Sequence, residues 1–70
     1  MPIVIAPLDV ELTIVKVLVD EKTKKHLESL GICQNGKITI IAKNGKNLIC
    51  SVLGVRIGLN EEVASKILVA

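Results

Sequence analysis

The sequence predicts a small, mostly antiparallel all-β barrel carrying one or two short helices. Three observations predict it. The chain has 70 residues, enough for one small core, and is read as a single domain over 1–70. Nineteen of its residues are Ile or Val, the β-branched types that suit a pleated, half-buried surface. Turn-forming glycines (Asn35-Gly36, Asn44-Gly45 and Gly54) separate the short apolar runs of the second half.

Taken in order, Met1 to Leu8, with Pro2 and Pro7, reads as an extended arm. Leu12 to Val19 is rich in β-branched residues and reads as the first strand. Asp20 then caps a short helix, and Glu21 complements the positive end of its dipole. Thr23, Leu27 and Leu30 share one face of that helix, and Gly31 supplies the left-handed residue that stops it. Asn35-Gly36 turns the chain into a second strand, Lys37 to Ala42. Asn44-Gly45 suits a type I′ turn leading to a third strand, Leu48 to Leu53. Gly54 breaks the chain before Val55 to Leu59, the fourth strand. Asn60 caps a last helical segment with Glu61 and Glu62 in its first turn and Val63, Ala64 and Ile67 on its buried side. Leu68 and Val69 are extended again and close the barrel.

Composition excludes several functions. The chain contains no Phe, Tyr or Trp, so it lacks the rings that build proline-peptide grooves, methyl-lysine cages and single-strand stacking platforms. Its formal net charge is only +2 and its single arginine is Arg56, which argues against a nucleic-acid partner. Cys33 and Cys50 are too few to staple a secreted mini-domain in the usual way. One bridge can form between them, but free thiols are the expectation. No apolar stretch approaches the ~20 residues that span a bilayer, and no basic segment precedes the first apolar run. A cytoplasmic protein is expected.

Catalytic chemistry finds no constellation. The lone histidine, His26, stands on a helix beside Lys24 and Lys25, with no partner at a spacing that would hold its tautomer. One histidine cannot supply a two-histidine, one-carboxylate iron site, and the two cysteines lack a paired spacing. No cofactor, catalytic residue or metal ligand is therefore assigned. Cys50 reads as a small mid-strand filler, and Cys33, beside a turn, as the one accessible thiol.

A binding role has a positive argument. Half-buried strands alternate apolar and polar residues, yet Val17-Leu18-Val19, Ile40-Ile41-Ala42 and Leu48-Ile49-Cys50 are apolar on both faces. Either the helices and the arm cover this excess or it forms an interaction patch, including a homo-oligomer contact. Lys22, Lys24 and Lys25 read as a solvated helix face, and secondarily as a lure for an acidic partner or an anionic membrane surface.

Leu27-x-x-Leu30-Gly31-Ile32 is followed by a Gly turn and an Ile-rich strand. Further on come Gly54-x-Arg56-Ile57-x-Leu59 and Ala64-x-x-Ile67-x-Val69, and the pair Pro7-Leu8 stands near the start. Together these motifs resemble the ferrous iron transport protein A (FeoA) family. Asn35-Gly36 stands where such proteins usually carry Pro-Gly, and His26 where many carry Arg. The resemblance implies an SH3-like barrel and a non-enzymatic cytosolic accessory role. The implied partner is the membrane ferrous iron transporter with its GTP-binding domain, so the membrane is reached only indirectly. Leu30, Gly31 and Arg56 are the candidate partner-contact residues. The alternative is a free-standing, metal-responsive regulatory module similar to the C-terminal barrel of iron-dependent repressors.

Overall fold

A computed structural model describes residues 1–70. Five strands run β1 Glu11–Val17, β2 Lys37–Asn44, β3 Asn47–Val52, β4 Val55–Asn60 and β5 Ile67–Val69. Two helices, α1 Glu21–Ser29 and α2 Glu61–Ala64, and a 3-10 turn at Ile3–Ile5 complete the molecule. The strands pair antiparallel in the order β4-β3-β2-β1-β5.

Burial follows the pleat. Ile38 and Ile40 of β2 and Leu48, Cys50 and Val52 of β3 point inward, while Thr39, Ile49 and Ser51 between them are half-covered on the outer face. Ile14, Ile32, Ile67, Val69 and Ile3 close the same core, which contains no buried polar side chain. Each fully buried Ile contributes about 1.5–3 kcal/mol relative to leaving it in water. With no aromatic ring available, branched aliphatics supply most of this burial, joined by Ala6, Cys50 and Ala64.

Three segments depart from the sequence reading. The arm is not extended throughout: Ile3–Ile5 winds into a 3-10 turn that buries Ile3, and the Lys43 Nζ donates to the Val4 carbonyl at 2.6 Å. Leu18 and Val19 lie beyond the end of β1. Ile67 belongs to β5, because α2 stops at Ala64 and the Leu18 N–H bonds the Lys66 carbonyl at 2.8 Å, drawing the chain into the sheet.

The turns differ most. Asn44 pairs with Asn47, so the β2–β3 loop is Gly45-Lys46. Of these two residues only Gly45 has positive φ, the type II′ pattern and not type I′. The turn with positive φ at both centres joins β3 to β4, at Leu53 (φ 53) and Gly54 (φ 78).

Candidate protein-docking site

The helix-stop glycine and the β3–β4 hairpin meet at one end of the barrel. Asp20 accepts from the Thr23 N–H and starts α1, whose single buried residue, Leu27, anchors it to the core. Gly31 ends it at φ +91. The Ile32 N–H then bonds the Leu27 carbonyl at 2.9 Å and sends Ile32 into the core. A methyl group added at Gly31 would stand 2.9 Å from the Leu53 Cδ1 and 3.0 Å from the Val52 Cγ1. The helix end and the hairpin tip therefore touch through a position where only glycine fits.

Leu53 is the unusual residue here. It is 85% exposed, more than any other large apolar side chain in the molecule. It also sits in the left-handed region, an outlier for a bulky side chain without local hydrogen-bonding capacity. Val55, across the turn, is 60% exposed. A strained, solvent-facing leucine contributes nothing to the core, and such strain persists at sites where the conformation itself is used.

The three residues singled out from the sequence fall around this tip. Leu30 and Gly31 are half-buried at the end of α1, Gly31 against the Leu53 side chain. Arg56 is exposed on the outer face of β4, opposite Ser51, which in turn pairs with Thr39 and so with Glu11. The structure thus brings Gly31 against Leu53 directly, with Leu30 its chain neighbour, and places Arg56 on the other side of the same hairpin. Sequence reasoning missed Leu53 and Val55. A Leu-Gly pair gives no turn signal as Asn-Gly does, so Leu53 reads as the last residue of a strand.

The doubled apolar runs are largely accounted for elsewhere. A bulge in β2 between Ile40 and Ala42 shifts the register, and Ile41, Ala42 and Ile49 are half-covered. A groove of about 420 Å³ lies between β1 and α1, with Ile32 and Cys33 at its base and Lys16 and Lys24 at its rim. Both thiols are free; burial pushes the Cys50 thiol up, while Cys33 is only half-buried beside the Asn35-Gly36 turn. No three of His, Cys, Asp and Glu come together as metal ligands. No helix is long and apolar enough to cross a membrane.

Five short antiparallel strands with small helices at the ends define a small barrel of the SH3-like class. The chain belongs to the FeoA domain family, whose model matches residues 1–70. The chain is similar to the crystal structure of an iron uptake regulatory protein (FeoA), at TM-score 0.88 and 21% identity, covering 99% of this chain and 93% of that one. It is similar to the FeoA protein from Chlorobium tepidum at TM-score 0.90 and 14% identity, over 99% and 68% of the two chains. For the FeoA-like protein from Clostridium acetobutylicum the values are TM-score 0.83 and 17% identity, over 100% and 84%. None of the curated proteins matches this chain. Family membership connects the chain with ferrous iron transport, as a small accessory domain outside the known enzyme families.

Proposed function

We propose that this chain is a non-enzymatic cytoplasmic accessory of ferrous iron uptake that docks on the cytosolic part of the membrane transporter carrying the GTP-binding domain. The observation that carries the reading is Leu53, an 85% exposed leucine held in left-handed backbone directly over Gly31. Exposed apolar groups rimmed by polar ones mark contact surfaces. Here Leu53 and Val55 form the apolar centre, the end of α1 at Leu30 and Gly31 supports it, and Arg56 supplies a charged edge. Desolvated apolar anchors beside an arginine are the kind of feature that dominates binding energy at interfaces.

The test is an amide NMR titration of the labelled protein with the transporter's GTP-binding domain, repeated with the full transporter in detergent. Shifts concentrated at Leu30, Gly31 and Leu53 to Arg56 are expected. Shifts confined to another face, or none with the full transporter, would overturn the reading.

A further inference from the structure

The two edges of the sheet are treated differently. The outer edge of β5 is occupied: Pro2 bridges Leu68, the Val69 N–H bonds the Met1 carbonyl at 2.7 Å, and the Met1 amino group bonds the Val69 carbonyl at 2.8 Å. β4 has a partner only on its β3 side. The two-residue Leu53-Gly54 turn makes Val52 and Val55 a hydrogen-bonded pair, and at the far end the Glu61 N–H bonds the Lys46 carbonyl at 2.7 Å. Both ends fix the same alternation. The backbones of Val55, Ile57 and Leu59 face β3, and those of Arg56, Gly58 and Asn60 face outward.

Native edge strands are usually blunted by proline, lysine, a bulge or a covering loop. β4 has no proline or lysine, its one charge is Arg56, and its register with β3 is unbroken over six pairs, Asn47↔Asn60 to Val52↔Val55. α2 follows β4 directly and packs against β4, β3 and the N-terminal turn, and no loop or cap backbone group bonds the outward N–H and C=O of Arg56 or Gly58. Gly58 sits at the middle with open space on its side-chain face, the nearest atom being the Ile49 Cδ1 at 4.0 Å. Mid-strand glycine of this kind marks close approach by another backbone.

We propose that β4 pairs antiparallel with β4 of a second copy of this chain, about a two-fold axis at Gly58. The edge is self-complementary in that register. The two Gly58 residues exchange N–H···O bonds, and the Asn60 N–H of each copy donates to the Arg56 carbonyl of the other. Charge complementarity selects this occupant. The pairing sets Arg56 of each copy opposite Asn60 of the other, beside Glu61 and Glu62, and none of these three charged side chains makes a hydrogen bond within its own chain. On the inner face it brings half-buried Ile57 against Leu59 of the second copy. One short strand from each copy makes an interface smaller than the standard stable class, so the association is weak.

Sedimentation equilibrium of the purified chain up to about 1 mM tests the dimer. A chain that stays monomeric throughout overturns the proposal. Arg56→Glu places like charges together in the pair, and so does the double variant Glu61→Lys/Glu62→Lys. Each variant alone is expected to dimerise at least about tenfold more weakly, and an equimolar mixture to recover pairing as a heterodimer. Recovery on mixing reports the contact independently of either variant's stability. A dimer that both variants leave unchanged, or a mixture no tighter than its components, overturns the assignment to β4.

Discussion

Leu53 and Gly31 form a complementary pair of backbone exceptions. Gly31 adopts φ +91 where its stereochemistry allows it, and Leu53 adopts φ 53 where its side chain opposes it. The left-handed region costs a non-glycine residue about 1–2 kcal/mol, and Asn tolerates it through local hydrogen bonding. Leu53→Asn is therefore expected to stabilise the isolated chain by about 1 kcal/mol while weakening binding to the transporter. Gly31→Ala is expected to act oppositely on stability, costing at least about 1–2 kcal/mol through its positive φ, with the 2.9 Å approach to the Leu53 Cδ1 added to that. Urea denaturation of both variants, alongside the titration, separates the two effects. A Leu53→Asn variant that is less stable than its parent would remove the argument from strain.

The helices and hairpins were legible in the sequence to different depths. Asp20, Leu27 and Gly31 announce α1, and the structure uses each as expected, because capping and helix stopping are decided within a few residues. Asn60 likewise accepts from the Val63 N–H at 2.8 Å and starts α2. The hairpins were less legible because distant contacts set their register. The Lys43 ammonium is tied to the N-terminal turn and the Lys46 carbonyl to Glu61, which moves the β2–β3 turn one residue beyond the Asn44-Gly45 signal. Ile67 misleads for a similar reason, since its spacing from Val63 and Ala64 suits a helix until pairing with β1 claims it. The α1 cap carries a pH signature. Hydrogen bonding from Thr23 lowers the Asp20 pKa below its ordinary 3.8, so the folded state favours the carboxylate. That stabilisation is present above the unfolded value and is lost as pH falls through the lower folded value. Asp20→Ala is expected to be less stable than the parent at pH 7, and the gap between them to narrow once the pH drops below 3.8. Thermal melts across that range, with Asp20→Asn as a neutral acceptor, check it; a gap constant with pH would contradict it.

At the scale of the molecule, the number of strands and their succession along the chain follow from β-branched apolar runs separated by turns, and the fold class is readable for that reason. The proposed docking surface is only partly so: Leu30, Gly31 and Arg56 stand out in the sequence but Leu53 and Val55 do not, because the surface depends on two segments distant in sequence, the end of α1 and the β3–β4 hairpin, meeting at Gly31. The N-terminal segment is another such case: Pro2 and Pro7 suggest a loose arm, yet Ile3 is fully buried and Met1 and Pro2 extend the sheet beyond β5. Topologically the backbone is close to a ring cut once, with Met1 and Val69 hydrogen-bonded across the cut. Where the cut lies is then a matter of covalent order and not of architecture. A short glycine linker from Ala70 to Met1, with new ends opened at the exposed Gly45-Lys46 turn, is expected to rebuild the same barrel. Its amide spectrum would match the parent's everywhere except near the old and new junctions.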